Sequence, residues 1–163
     1  MRSAISIDVE NEFASVMIEA KMLAEALPTL QASNSVRALR HIEIAGLAAT
    51  IETIFTGCER IMVMIAKAVD GEAVASSEGW HATLIKRLAN PYPEVRRAIL
   101  SDECRQELDR FRSFRHRVRN SYGMALDDEI VLGRAAEVAR MLDLFHQDTS
   151  RFLAERDASS ARN

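Results

Sequence analysis

The stretch from residue 47 to residue 65 reads LAATIETIFTGCERIMVMI. Its larger apolar residues recur three and four positions apart: Leu47, Ile51, Ile54, Phe55, Cys58, Ile61, Met62 and Ile65. This spacing places them on one face of an α-helix. The pattern extends without proline over about residues 36–69. It predicts one long central helix, or two nearly continuous ones, against which the rest of the chain packs.

A second face of this helix carries small residues. Gly46, Thr50, Thr53, Gly57 and Arg60 lie on it at helical spacing. A glycine inside a helix costs up to about 1 kcal/mol in helix propensity, so the close approach it allows must be worth that cost. We therefore expect another helix to lie against this face, either within the chain or in a dimer partner.

Further helices are predicted on both sides of the central one. Apolar residues in residues 13–27 recur at helical spacing, and Pro28 is expected to end that helix. A short helix is predicted over residues 80–89, after a polar loop. A longer one runs from about residue 101, with Ser101 as its N-cap, to about residue 122.

The last helix is predicted to start at a cap formed by Asp127 or Asp128. Nowhere do apolar and polar residues alternate convincingly as they would in a strand. The expected fold is therefore an all-α bundle of about five helices. We expect one domain over residues 1–155 and a frayed polar tail over residues 156–163.

Composition narrows the functional classes. The chain has 163 residues, is 48 % hydrophobic and carries a formal net charge of −3, which argues against a protein that coats nucleic acid through overall positive charge. Cys58 and Cys104 both lie among apolar helical positions, so we expect reduced core thiols and no metal site or cofactor. Without a leader or an apolar stretch that could span a bilayer, a cytoplasmic location is expected.

One segment reverses the sign of the charge. Residues 110–122 read RFRSFRHRVRNSY, with five arginines and no acidic residue. On a helix, Arg115 falls inside the apolar stripe, where a guanidinium needs a partner. It therefore either pairs with an acid in the fold or faces a groove between proteins that holds water and a phosphate. A solvated surface helix is the alternative for the run as a whole.

Three other basic residues of this run form a strip with Arg115. Arg112, His116 and Arg119 lie near Arg115 within about a third of the helix circumference. Arginine presents a rigid fork of donors that suits phosphate oxygens, and no neutralising acid lies within the run. Arg112 and Arg119 are therefore candidate phosphate-binding residues.

Residues 114–127, FRHRVRNSYGMALD, resemble the signature of HEPN-domain ribonucleases, specifically of the HepT-like toxins: an arginine, four to six residues, a histidine, any residue and a tyrosine. Three upstream segments are similar to the same subgroup in the same order: IFTGCERI at 54–61, AKAVD at 66–70 and GWHATL at 79–84. Arg115 matches the motif arginine and Tyr122 the motif tyrosine. Asn120 stands where the family has its catalytic histidine.

The resemblance implies metal-independent RNA cleavage by Arg115, position 120 and Tyr122 at the cleft of a homodimer. It also makes Arg112 and Arg119 candidate RNA-binding residues. An amide does not exchange a proton near neutral pH, so Asn120 can position a group without acting as a base. His116, one turn earlier on the same face, is a candidate substitute. Activity is thus expected to be weakened or lost, and whether the chain is an enzyme stays open.

The resemblance also implies partners. It indicates the toxin component of a toxin–antitoxin system with a nucleotidyltransferase antitoxin, which in related systems adenylates the motif tyrosine, here Tyr122. Position alone favours a core role for Tyr122. Two alternatives remain: a catalytically inactive domain that binds the antitoxin or RNA, and a purely structural helical dimer module whose arginines pair with carboxylates.

Overall fold

The computed structural model describes residues 2–72, 74, 79–120 and 126–162. These residues form six helices: α1 (Ala4–Ala32), α2 (Arg37–Asp70), α3 (Trp80–Ala89), α4 (Asp102–Asn120), α5 (Asp128–Ala136) and α6 (Val138–Ser160). Apart from an isolated bridge between Tyr92 and Arg96, the described ranges contain no β-structure. The predicted all-α bundle with one long central helix is confirmed.

Helix α2 is the centre of the molecule. Its 34 residues carry the apolar stripe read from the sequence, and every one of those eight residues is buried. Helix α1 packs along it, α5 and α4 contact it from other sides, and α3 and α6 complete the cover. Cys58 on α2 and Cys104 on α4 are both free and buried, as predicted. Burial raises the pKa of both thiols.

At Gly57, on the small-residue face, α1 lies close against α2. A Cβ atom at this position would lie 2.3 Å from Cγ2 of Val16. Valine is branched at Cβ and has little rotamer freedom in a helix, so its methyl group cannot simply turn away. The helix neighbour expected from the sequence is therefore α1 of the same chain.

We expect Gly57→Ala to destabilise the protein although alanine is the better helix former. Overpacking typically costs about 1–3 kcal/mol, against a propensity gain of up to about 1 kcal/mol. Gly46→Ala is the matched control, because Gly46 is exposed and has no neighbour within 4 Å of a built Cβ. Urea unfolding should show opposite signs for the two variants, and a stabilised Gly57→Ala would contradict this packing.

The prediction that α1 ends before Pro28 is wrong. Pro28 lies inside the helix, which continues to Ala32. A proline removes one helical hydrogen bond, but contacts beyond it hold the last turn. Nη1 of Arg40 donates to the carbonyl of Leu30 at 2.7 Å, and Leu27 and Leu30 pack against the core.

The predicted last helix is divided in two. Asp127 caps α5 as expected, accepting from the backbone N–H groups of Glu129 and Ile130. At Glu137 the backbone N–H bonds to the carbonyl of Arg134, three residues back, and this tighter turn separates α5 from α6. Helix α6 then continues to Ser160, whereas a frayed tail was expected from residue 156.

A buried acid at the end of α2 fixes the position of α3. The Asp70 side chain is fully buried, and Arg96 donates to its two oxygens from Nε at 2.6 Å and from Nη2 at 2.9 Å. Nε of Arg87, on α3, lies 2.9 Å from the same carboxylate. Both arginines are largely buried, so this network is part of the interior.

Within the described ranges, none of the helices combines the length and the apolar character needed to cross a bilayer.

Candidate functional site

The start of α4 is fixed by a capping serine. As predicted, Ser101 precedes the helix, and its hydroxyl oxygen accepts from the backbone N–H of Cys104 at 3.2 Å. The same hydroxyl and the Ser101 backbone N–H each donate to Asp148 on α6 at 2.7 Å. These contacts fix the start of α4 against α6, and with it the position of the basic run that follows.

The basic run is largely neutralised in the folded chain. Four of its arginines lie against carboxylates: Arg110 with Glu107, Arg112 with Asp109, Arg115 with Glu59 and Arg119 with Glu52. The expectation of a cationic strip without neutralising acids is therefore wrong. The acids come from one turn earlier on α4 and from α2, both outside the run itself.

Arg115 has the buried acid partner that its place in the apolar stripe required. Its side chain is 11 % exposed, and Nη1 donates to Oε2 of Glu59, whose side chain is 4 % exposed. Nε of Arg115 is buried and has no hydrogen-bond partner among the described residues. Of the two settings predicted for this guanidinium, the structure shows the paired acid.

His81, at the start of α3, completes a buried cluster of three charged or titratable groups. Its Nδ1 contacts Oε1 of Glu59, the oxygen that Arg115 does not use. Nη1 of Arg115 lies 3.4 Å from the same ring nitrogen. Burial raises the pKa of the Glu59 carboxyl, and the nearby Arg115 and His81 act in the opposite direction. We call Glu59, His81 and Arg115 the Glu59 cluster.

A pocket of about 330 Å³ opens beside the Glu59 cluster. Glu59, Arg115 and Trp80 contribute to its walls, together with Thr56 and Arg60. The ring of Trp80 also lies against that of His81, with centroids 4.0 Å apart. The cluster therefore adjoins a space that a small polar group or part of a larger ligand could occupy.

Asn120 and His116 form a separate pair near the end of α4. Nδ2 of Asn120 lies 3.0 Å from Nε2 of His116, and both residues are exposed. Within the described part of the chain, neither side chain contacts the Glu59 cluster. The structure thus places Arg115 and Asn120 in different surroundings, while Tyr122 lies outside the described residues.

The two candidate RNA-binding arginines differ in exposure. The Arg119 side chain is 62 % exposed, and its Nε lies 3.6 Å from Oε1 of Glu52 on α2. The Arg112 side chain is 34 % exposed and donates to Asp109 at 3.0 Å. Arg119 is therefore the more accessible of the two to an anionic ligand.

Sequence reasoning missed two members of the cluster. Glu59 follows Phe55 by four residues and precedes Met62 by three, so it is an acid on the apolar face of α2, the same signal that singled out Arg115. His81 directly follows Trp80 at the start of a predicted helix, and the local sequence gives this histidine no partner. Its contact with Glu59 depends on how α3 docks, which no local pattern encodes.

No group of three or more His, Cys, Asp and Glu residues that could hold a metal ion occurs among the residues that the structure describes.

A family model described as HepT-like protein matches residues 46–156, which includes most of α2 and all of α3, α4 and α5. Neither the curated proteins nor the solved structures contain a match to the chain.

Proposed function

The chain belongs to the HepT-like family, and from that premise we propose that it is the toxin-type component of a toxin–antitoxin pair, built for metal-independent RNA cleavage but weakened by Asn120. The observation that carries the proposal is the residue at position 120 within a matched family region. An amide there supplies hydrogen bonds without proton exchange. The expected result is an RNA-directed protein with low turnover.

The exposed end of α4 supports contact with RNA. Arg119, His116 and Asn120 are exposed there, and phosphate contacts provide much of the affinity of proteins for nucleic acids. Arg112 adds a half-exposed guanidinium on the same helix. Arg115 steadies phosphate charge from its place beside the pocket, where Glu59 holds one of its terminal nitrogens. A homodimer would place two such helices at one cleft.

The proposal predicts that Asn120→His increases RNA cleavage. A positioned general base contributes about 10²- to 10⁴-fold, so we expect at least about a 100-fold higher rate. The measurement is single-turnover cleavage of end-labelled RNA in EDTA, which keeps any metal-dependent contaminant inactive. Asn120→Gln is the matched control, because it retains an amide and should stay at the wild-type rate.

Vigorous wild-type cleavage that neither substitution changes would contradict the weakening by Asn120. Absence of cleavage by every form would remove the ribonuclease assignment and leave RNA binding to be judged by itself. Because position 120 is exposed, both variants should keep the wild-type unfolding midpoint. The rates can then be compared without correction for the folded fraction.

A second function is a catalytically silent binding protein that docks RNA or a nucleotidyltransferase antitoxin. The amide at position 120 and its bond to His116 favour it. RNA binding without turnover, falling steeply with salt, would distinguish it, because phosphate contacts release counterions. Adenylation of Tyr122 would identify a nucleotidyltransferase partner by a shift in mass.

A third function is a structural helical dimer module. The pairing of Arg115 with buried Glu59 favours it, whereas the pocket beside Arg115 and the exposure of Arg119 favour a binding role. A protein that dimerises but binds no RNA and no antitoxin would support this third function.

A further inference from the structure

We propose that His81, oriented by Glu59 and adjacent to Arg115, is the base that takes the 2′-hydroxyl proton in the residual RNA cleavage of this chain. The inference rests on the function proposed above and names a catalytic residue for it outside α4. It follows from three features: the contact of the imidazole with Glu59, the cation beside it and the pocket lined by Glu59, Arg115 and Trp80.

Glu59 fixes the tautomer of His81. Its side chain is buried and contacts Nδ1 of the imidazole through one oxygen while Arg115 donates to the other. We assign the imidazole hydrogen to Nδ1, which then donates to the Glu59 carboxylate and leaves the lone pair of Nε2 available. Within the described part of the chain, Nε2 makes no hydrogen bond, and the His81 side chain is 27 % exposed. This is the arrangement in which a carboxylate orients an imidazole to act as a base.

Arg115 supplies positive charge beside that imidazole. Its Nη1 is 3.4 Å from Nδ1 of His81, and its buried Nε still lacks a partner. The guanidinium also lines the pocket, so it can bind a phosphate oxygen there, and its charge favours the extra negative charge of a pentacoordinate phosphorus. The proton acceptor and the phosphate-binding group are thus held together by one carboxylate.

The adjoining pocket provides a place for the substrate. Its volume of about 330 Å³ is bounded in part by Arg115 and by Trp80, which contacts the His81 ring. An aromatic face beside an arginine suits an unstacked base and its phosphate, as in other proteins that bind single-stranded RNA. We place the cleaved linkage between Arg115 and His81.

The step balances without another reactant. The 2′-oxygen forms a bond to phosphorus as its proton moves to Nε2 of His81, and the bond from phosphorus to the 5′-oxygen breaks. The leaving 5′-oxygen takes a proton from water, and His81 returns its proton to solvent. The products are a 2′,3′-cyclic phosphate and a 5′-hydroxyl, and no metal or redox partner is consumed.

The competing histidine is less well placed. His116 lies at the exposed end of α4, where Nδ2 of Asn120 occupies its Nε2. It has no ion pair with a carboxylate among the described residues, and its recorded contact there is with Asn120. The competing explanation for His81 is structural, because its ring also satisfies the second oxygen of buried Glu59. The experiment must therefore separate proton transfer from support of the fold.

The test compares His81→Ala and His81→Gln with the wild type in the EDTA assay. We expect either change to lower the cleavage rate by about 100-fold, within the range of general base catalysis. Added imidazole should restore cleavage by His81→Ala, because the deleted ring leaves a partly exposed space. His41→Ala, an exposed histidine at the start of α2, is the control and should cleave at the wild-type rate.

A second comparison uses the Asn120→His background. If His81 is the base in the wild type, a histidine at position 120 should take over the proton transfer. His81→Ala should then lower the cleavage rate much less in the Asn120→His background than in the wild type. An equal loss in both backgrounds, with no response to imidazole, would assign His81 a structural role and overturn the inference. Glu59→Gln should lower kcat, because Glu59 orients His81, and should also raise KM, because the same carboxylate holds Arg115.

The outcomes separate this inference from the proposed function. Cleavage that persists in His81→Ala and His81→Gln overturns the role of His81 and leaves the ribonuclease assignment standing. Absence of cleavage by the wild type and by Asn120→His overturns both.

Discussion

Arg115→Ala is expected to lower the free energy of unfolding by about 3–5 kcal/mol, because it leaves a buried carboxylate without its cation. Glu59 is 4 % exposed, and Arg115 crosses from α4 to α2 to reach it. The truncation also removes the packed stem of a long side chain. Urea unfolding followed by circular dichroism measures the loss directly.

Two further variants establish the cause. Arg112→Ala breaks a more exposed pair on the same helix, so it should cost no more than about 1 kcal/mol. Replacing both charges, with Glu59→Gln and Arg115→Met, should recover much of the loss, since no unpaired buried charge remains. A cost below about 1 kcal/mol for Arg115→Ala would mean that the pair is open to water. Loss of RNA cleavage in this variant should therefore be interpreted only after its stability is known.

Asp70→Ala is expected to have an effect of the same size, about 3–5 kcal/mol, because it leaves buried Arg96 without a counter-charge and Arg87 with only the exposed Glu72, 3.9 Å away. Arg96 is 2 % exposed and Arg87 is 16 % exposed. Asp70 also joins the end of α2 to α3, which carries His81. We therefore expect cleavage to fall beyond the loss explained by unfolding.

Arg96 and its neighbour Arg97 provide the matched comparison for that network. Arg97 pairs with Glu155 at the surface, and the two side chains are 50 % and 55 % exposed. Glu155→Ala should therefore change stability by at most about 1 kcal/mol, whereas Arg96→Ala should approach the cost of Asp70→Ala. Equal small effects at both pairs would show that Asp70 does not hold α3 in place.

The all-α fold could be predicted because its signals are local. The apolar stripe of α2, the capping residues Ser101 and Asp127, and the close-packing site at Gly57 each follow from a few neighbouring residues. The errors arose where distant residues decide the outcome. Pro28 stays within α1 because Arg40 and the core hold the turn after it, and the turn at Glu137 has no marked local signal.

The candidate site was predictable only in part. The position of Arg115 in an apolar stripe indicated a partner, but its identity required the packing of α4 on α2. The basic run suggested an uncompensated patch because its acids lie on other turns and another helix. His81 joins the cluster only through the docking of α3, which depends on the network around Asp70.

The Glu59–Arg115 pair joins residues that are 56 positions apart, and His81 enters from between them. Contacts of this range form only after a long segment has closed on itself, which is slower than forming any single helix. A growing or truncated chain that lacks α4 therefore lacks the cation of the cluster, although Glu59 and His81 are already present in it. The complete Glu59 cluster, and the RNA cleavage proposed for it, would thus appear only together with the tertiary fold. Both would be lost in any partly folded state in which α4 no longer packs on α2.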